Sequence, residues 1–222
     1  VDYQRRLAQT AFDYSYWDQA VANLVIAPDP DWADDNVGPY LYDAFGISSS
    51  YIIDEQDRTS YSMIDGARAK NDPFARFSIG IADLIDAARV EAPSGAPEPA
   101  MGLVRDGDRL HIAAANVLTG YDLSGETTIN LPTGSVLVLT RALDTALLGE
   151  IAGHYLLDGL RVVLEAAPPA PPLLPLFSVG GEPAGFLAWH TELPGARMLE
   201  WVLPTLVAGL VVLMVLSFLF LA

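Results

Sequence analysis

Residues Val202–Ala222 read VLPTLVAGLVVLMVLSFLFLA, and this stretch decides how the rest of the chain is interpreted. It contains no charged residue, and fourteen of its members are Leu, Val or Phe. A helix rising about 1.5 Å per residue would make it roughly 30 Å long, which matches the hydrocarbon core of a bilayer. Pro204 would fall in the first turn, where a missing N–H costs little. The sequence therefore predicts a transmembrane helix over residues 199–222 and a domain outside the bilayer over residues 1–198.

Composition restricts the compartment and the partners of that domain. The 222-residue chain has a formal net charge of −16, a single lysine and no cysteine. Such an acidic surface repels phosphate groups, which argues against nucleic acid as a partner. It also differs from the cytoplasmic flank of a membrane helix, which is usually rich in Lys and Arg. The lack of cysteine excludes disulfides and thiolate metal sites.

The N-terminal region has the three- and four-residue spacing of an amphipathic helix. This spacing predicts a helix over Tyr3–Val25. Its apolar stripe consists of Leu7, Ala11, Tyr14, Val21 and Val25. Asp18 falls on the same stripe, and a buried carboxylate needs a hydrogen-bond donor or a cation. We expect Asp18 to accept hydrogen bonds from neighbouring groups, and a ligand-binding role is the alternative.

Two further helix starts are marked by proline. Asp29-Pro30 and Asn71-Asp72-Pro73 both have the pattern of an N-cap with Pro at the first helical position. Gly46 is expected to end the helical region that Asp29 begins, and the helix starting at Pro73 is expected to continue through Ile85. The carboxylates around Asp29 lack the alternating ligands and central glycine of a calcium loop, so no metal site is predicted.

The rest of the chain alternates with a period of two and is divided by turn residues. Antiparallel hairpins are predicted for Ile47–Ile53 with Thr59–Met63, Met101–Val104 with Leu110–Val117, and Leu176–Val179 with Gly185–His190. Further elements are the strands Ser135–Thr140 and Leu160–Leu164 and a helix at Leu143–Ile151. Pro194-Gly195 is expected to break the chain before the membrane. Hairpin-joined strands with helices on one side predict an α+β domain.

No catalytic motif is present. The sequence lacks the nucleophile elbow, the zinc-protease motif and the phosphate-binding loop. Its three histidines, His111, His154 and His190, lie far apart and none has a second ligand at helical spacing. The sequence therefore predicts neither an enzyme nor a cofactor. His111 begins an alternating strand and is expected to be half-buried, with a ligand contact as the alternative.

Three short motifs occur in order within the first 65 residues. They are Tyr14-Ser15-Tyr16-Trp17-Asp18, then Asp29-Pro30-Asp31-Trp32 with Asn36, then Phe45-Gly46-Ile47 followed by a hairpin ending near Tyr61. Together they resemble the fourth class of CHASE-type extracellular sensory domain, and the resemblance covers most of residues 1–200. Trp17, Asp18, Trp32 and Asn36 match the family motif, for which we expect a mainly architectural role.

The resemblance implies a fold, a location and an output. The fold is a PAS-like sheet behind a long N-terminal helix, related to Cache domains. The domain would lie on the periplasmic side of the inner membrane, between two transmembrane helices. A cyclic-di-GMP synthase or phosphodiesterase, or a histidine kinase, would follow in the cytoplasm. A homodimer is expected, with the first helix at its interface, because such outputs usually work in pairs.

An unknown small molecule is the expected ligand, and the concave face of the sheet is its candidate site. Polar groups from inward strand positions would line this site, with Arg76 or Arg105 from neighbouring elements: Tyr51, Tyr61, His111 and Asn116. Two other readings stay open. One is an extracytoplasmic enzyme or binding protein with a single C-terminal membrane tether. The other is a partner-binding module whose sheet interior is filled by its own side chains.

Overall fold

The computed structural model describes residues 2–91, 98–122, 129–165, 172–190 and 194–221. The helices in these ranges are α1 (Asp2–Ser15), α2 (Asp18–Val21), a π-helical turn (Ala22–Ile26), α3 (Pro30–Asn36), α4 (Pro39–Phe45), α5 (Pro73–Arg76), α6 (Ile81–Glu91), α7 (Thr145–Tyr155) and α8 (Pro194–Leu221). The strands are β1 (Ser49–Ile53), β2 (Thr59–Ile64), β3 (Ala67–Arg68), β4 (Ala100–Asp106), β5 (Arg109–Asp122), β6 (Ile129–Ala142), β7 (Asp158–Val163), β8 (Leu173–Phe177) and β9 (Pro183–His190).

Six strands form an antiparallel main sheet in the order β3-β2-β1-β6-β5-β4. Side chains alternate between its faces, so Ile52 and Leu139 pack towards α1 to α4 while Ile53 and Val138 pack towards α5 and α6. The α+β prediction with antiparallel sheets is confirmed. The expectation of helices on one side only is wrong, because the central strands are apolar on both faces and need cover on both.

The predicted hairpins form. Strand β1 pairs with β2, β4 with β5, and β8 with β9, each in antiparallel register. Asp106 and Arg109 are paired residues that flank the turn between β4 and β5, where Gly107 adopts a positive φ of 57°. Local turn signals were therefore sufficient to find these pairs.

The long N-terminal helix is not confirmed. It ends at Ser15, because Trp17 has an extended backbone (φ −160°, ψ 124°) and Tyr16 forms an isolated bridge with Thr119 of β5. This break shifts the phase of the following residues. As a result Asp18 is exposed at the start of α2, and the prediction that it lies on the core-facing stripe is wrong.

The two proline-marked helix starts are confirmed. The Asp29 carboxylate accepts hydrogen bonds from the backbone N–H groups of Asp31 and Trp32, and the Asp72 carboxylate accepts one from Phe74. Gly46 ends α4 in the left-handed conformation (φ 66°).

The helix predicted from Pro73 through Ile85 is interrupted, and this expectation is wrong. Residues 77–80 separate α5 from α6, because Ser78 and Ile79 form backbone hydrogen bonds with Arg105 of β4. Gly80 then turns the chain into α6 with a φ of 84°. The inserted bridge fastens both helices to the edge of the main sheet.

A second antiparallel sheet, in the order β7-β9-β8, follows the main sheet in sequence and packs beside it. Helix α7 connects the two sheets. It begins at Thr145 rather than Leu143, because the Asp144 carboxylate accepts a hydrogen bond from the Leu147 N–H at 2.8 Å and fixes the N-cap. Gly102 leaves room for Val179, so the tip of the β8–β9 hairpin reaches the outer strand of the main sheet.

The C-terminal helix α8 is 28 residues long and begins at Pro194. Pro194 therefore starts a helix instead of breaking the chain, as proline does at the first helical position. Pro204 lies inside this helix and not in its first turn.

None of the helices, as far as their residues are described, is long and apolar enough to span a bilayer. The predicted transmembrane helix is therefore not confirmed. Part of the predicted span lies outside the residues whose side chains are described: Leu199, Glu200, Trp201, Val212, Val215, Leu216, Phe218, Phe220, Leu221 and Ala222. The described apolar side chains of α8 are exposed, including Leu210 at 61% and Leu213 at 69%.

Candidate functional site

The main sheet divides the four predicted ligand-binding residues between its two faces. Tyr51 and His111 point towards α5 and α6, whereas Tyr61 and Asn116 point towards α1 to α4. All four are buried, with exposed fractions of 7% or less. The structure therefore does not bring them together in one pocket. Residues an odd number apart on one strand face opposite sides of the sheet, as His111 and Asn116 do on β5.

On the α5/α6 face, Arg76 is the centre of a buried polar cluster, which we call the Arg76 cluster: Tyr51, Arg76, Asp106 and His111. The Arg76 guanidinium donates to the Tyr51 hydroxyl oxygen and to the Asp106 carboxylate, both at 2.8 Å. Its side chain is only 13% exposed. Of the two arginines considered for the site, Arg76 thus joins Tyr51, whereas Arg105 donates to the Gly107 carbonyl instead.

Burial and neighbouring charged or polar groups together set the pKa values of Tyr51, Arg76 and His111. Burial raises the pKa of Tyr51, although the Arg76 cation opposes the rise. Burial also opposes the charge on Arg76, but the Asp106 carboxylate and the Tyr51 hydroxyl outweigh it and raise the pKa of Arg76. The pKa of His111 is lowered to about 4 by burial, with a further contribution from the Arg76 cation. His111 is therefore neutral in the folded protein at physiological pH.

The His111 ring is enclosed by protein atoms. It meets the Phe77 ring edge-on at 5.5 Å, and its Nδ1 lies 3.5 Å from the Thr140 hydroxyl. Its Nε2 is buried and has no hydrogen-bond partner in the described part of the chain. The expectation of a half-buried histidine is wrong, because His111 is only 2% exposed.

On the opposite face, Tyr61 and Asn116 connect the sheet to the N-terminal helices. The Tyr61 hydroxyl donates to the Asp34 carboxylate at 2.7 Å, and the Asn116 amide donates to the Ser15 hydroxyl at 2.7 Å. Burial raises the pKa of Tyr61, and the hydrogen bond to Asp34 adds to the rise. These contacts are intramolecular and both side chains are buried, although the Asn116 Oδ1 has no hydrogen-bond partner among the described residues.

Arg68 at the sheet edge completes the Tyr61 contact. Its guanidinium binds Asp34 in a bidentate manner and also reaches the Asp31 carboxylate at 2.6 Å. These hydrogen bonds lower the pKa of Asp34. The pairing links β3 to α3 across 34 residues, and no sequence motif indicated it.

The family-motif residues make local contacts. The Trp17 and Trp32 rings pack at a centroid distance of 5.3 Å and an angle of 46°, and both lie against the core. The Asn36 amide donates to the Trp32 carbonyl at 2.8 Å. The motif therefore joins the break after α1 to helix α3.

A cleft of about 1150 Å³ lies between one end of the main sheet, helix α7 and strand β7. Turns of the main sheet, the end of α4 and the start of α7 form its walls. Three arginines line it, Arg109, Arg141 and Arg161, together with carboxylates that include Asp43, Asp65 and Asp108. None of the four predicted site residues lines this cleft. Sequence reasoning missed it because its residues come from segments far apart in the chain.

The cleft arginines lack the close ion pairs that four other arginines form. Four arginines bind carboxylates at 2.6–2.8 Å: Arg58, Arg68, Arg76 and Arg89. In contrast, Arg141 has only a 3.8 Å contact with Glu150, and Arg161 donates to the Gly159 carbonyl at 3.2 Å. Arg109 has no carboxylate within 4.0 Å among the described residues. The cleft therefore offers guanidinium groups that have no close carboxylate partner among the described residues.

The described residues form a mixed α+β domain with a polar cleft at one end of its main sheet. The sequence comparison defines it further. Residues 2–163 match the CHASE4 domain family, and the chain belongs to that family. The predicted resemblance is therefore confirmed. CHASE domains are extracellular sensory domains. No curated protein matches the chain.

Proposed function

We propose that this chain is the ligand-sensing part of a bacterial transmembrane receptor and that it lies on the periplasmic side of the inner membrane. The family match over residues 2–163 carries this proposal. The net charge of −16 supports it, since a cytoplasmic juxtamembrane surface is usually basic. In this proposal the chain performs no catalysis and needs no cofactor.

The fold proposed for the sensor is PAS-like and related to Cache domains. The arrangement of the main sheet supports this proposal: a hairpin, β1–β2, lies beside a three-stranded meander, β4–β5–β6, and α5 and α6 are inserted between them in sequence.

The membrane attachment is proposed to be the C-terminal helix. Residues 202–222 contain no charge, and the described apolar side chains of α8 are largely exposed. Leaving such a surface in water is unfavourable by about 25 cal/mol per Å² of apolar area. Insertion into a bilayer would remove that cost.

Signal transfer would use the two ends of the domain. Helix α1 packs on β5 of the main sheet, and α8 follows the second sheet directly. A ligand that binds one arrangement of the domain better than another would move these ends relative to each other, by no more than its difference in affinity allows. The proposed output is a cytoplasmic enzyme of cyclic-di-GMP turnover, and the proposed assembly is a homodimer.

Vesicle flotation tests the membrane attachment. The 222-residue chain is expected to float with neutral phosphatidylcholine vesicles and to remain bound in high salt. A matched variant with Leu210→Arg and Leu213→Arg should stay in the aqueous fraction, because each arginine at the centre of a membrane helix costs about 2.5–3.5 kcal/mol on an insertion scale. Equal flotation of the two proteins would contradict attachment through α8.

A further inference from the structure

We propose that the cleft between the main sheet, α7 and β7 binds a small organic molecule that carries a carboxylate at one end and an ammonium group at the other. This inference rests on the proposed sensory function and names the chemical class of its ligand. It places the ligand site away from Tyr51, Tyr61, His111 and Asn116.

The first argument is the state of the cleft arginines. The chain has 28 acidic residues and only 12 Lys and Arg. Outside the cleft, Arg58, Arg68, Arg76 and Arg89 bind carboxylates closely, whereas Arg5, Arg6 and Arg105 have no carboxylate within 4.0 Å among the described residues. What sets the cleft apart is that it gathers three arginines in one place. Arg109 and Arg161 are exposed and have no carboxylate within 4.0 Å in the described ranges. Guanidinium groups match carboxylates in shape and charge, so these two are suited to hold a ligand carboxylate.

The second argument is the state of the cleft carboxylates. Asp43, Asp65 and Asp108 line the same cleft, and all three are exposed. Within the described part of the chain none of them makes an ion pair or a side-chain hydrogen bond. Cations and anions therefore lie in one cleft, and no direct ion pair joins them among the described residues. A ligand with both charges would pair with both sets, whereas a dianion or a dication would be repelled by one of them.

The charged groups of the cleft come from several different elements. Arg109 and Asp108 come from the β4–β5 turn, Arg161 comes from β7, and Asp43 comes from α4. Because the β4–β5 turn belongs to the main sheet and β7 to the second sheet, a ligand held between them would link the two sheets. The second sheet leads directly into α8, so binding here would act on the element proposed to carry the signal.

Three four-carbon probes separate the possible chemistries. They are 4-aminobutyrate with one carboxylate and one ammonium, succinate with two carboxylates, and 1,4-diaminobutane with two ammonium groups. The thermal unfolding midpoint of the 222-residue chain is measured with each probe at matched ionic strength. At ten times its Kd, 4-aminobutyrate is expected to raise the midpoint by about 3–6 °C. Succinate should give a smaller rise, and 1,4-diaminobutane the smallest.

Matched variants locate the effect. A variant with Arg109→Gln and Arg161→Gln should lose the rise with 4-aminobutyrate. Arg105→Gln is the control, because Arg105 also donates to a backbone carbonyl two residues away but does not line the cleft. It should keep the full rise.

Several results would overturn the proposal: no rise with any probe, an equal rise with 1,4-diaminobutane or with NaCl, a larger rise with succinate, or a full rise in the double variant. These outcomes leave the receptor proposal standing, since vesicle flotation does not depend on the cleft. Conversely, a protein that binds 4-aminobutyrate through Arg109 and Arg161 but does not float would retain this site and lose the proposed anchor.

Discussion

Gly80→Ala is expected to destabilise the folded domain by about 3–5 kcal/mol, the largest effect of any single substitution considered for this chain. Gly80 has a φ of 84°, which residues with a Cβ rarely adopt. A Cβ at this position would also lie 2.5 Å from the carbonyl oxygen of Leu103. That oxygen belongs to β4, so it cannot move aside without disturbing the main sheet.

Gly107→Ala is the matched control for this substitution. Gly107 also has a positive φ, of 57°, but a Cβ there would meet no atom within 4 Å. Gly107→Ala should therefore lower the free energy of unfolding only by the backbone strain, about 1 kcal/mol. Urea unfolding of the two variants measures the difference. Equal losses of stability in the two variants would contradict the close approach of Gly80 to the Leu103 carbonyl oxygen.

Acidification from pH 7 to pH 4 is expected to remove about 3 kcal/mol of stability through His111 alone. The pKa of His111 is about 4 in the folded protein, against an ordinary value of 6.5. Between these two values the unfolded chain binds a proton that the native protein excludes. Stability is therefore complete above about pH 6.5 and falls as the pH falls towards 4.

The His111→Gln variant isolates this contribution. It should lose most of the pH dependence between pH 6.5 and 4, whereas His154→Gln should keep it, because His154 is exposed on α7. Asp34 and Asp54 have lowered pKa values, so their stabilising effect is lost only at lower pH, below the ordinary carboxylate range. An unchanged pH profile in His111→Gln would refute the burial of a neutral His111.

Features set by neighbouring residues were predictable from the sequence. Asp29 before Pro30 and Asp72 before Pro73 both form the expected N-caps. Gly46 ends α4, and Gly107 turns the β4–β5 hairpin. In each case the residue's own conformational preference, or a hydrogen bond spanning two or three residues, is sufficient to fix the backbone.

Features set by distant residues were not predictable. Helix α1 ends just before Tyr16, which bridges Thr119, and α5 ends shortly before Ile79, which bridges Arg105. Both stretches nevertheless have helical periodicity. Tertiary pairing overrides local preference at these points. No local rule could have shown that Tyr51 and Tyr61 lie on opposite faces either, because the register of β1 against β2 decides it.

The candidate site was the least predictable part. The residues Asp43, Asp108, Arg141 and Arg161 come from four separate elements, and none belongs to a motif. Arg141 and Arg161 lack close carboxylate contacts among the described residues, and this becomes visible only once the fold is known. The acidic excess could be predicted from the sequence, but the arginines that lack a close carboxylate partner could not.

The central claim is that the domain lies outside the cytoplasmic membrane, and labelling of intact cells tests it most directly. The 222 residues contain no cysteine, so Lys70→Cys introduces a unique thiol at an exposed position of the main domain. The variant is placed in the intact gene product, with any cysteine beyond these residues replaced by serine. A maleimide that cannot cross the cytoplasmic membrane should label it fully in intact cells. Labelling that appears only after the cytoplasmic membrane is permeabilised would place the domain in the cytoplasm and contradict the sensory account.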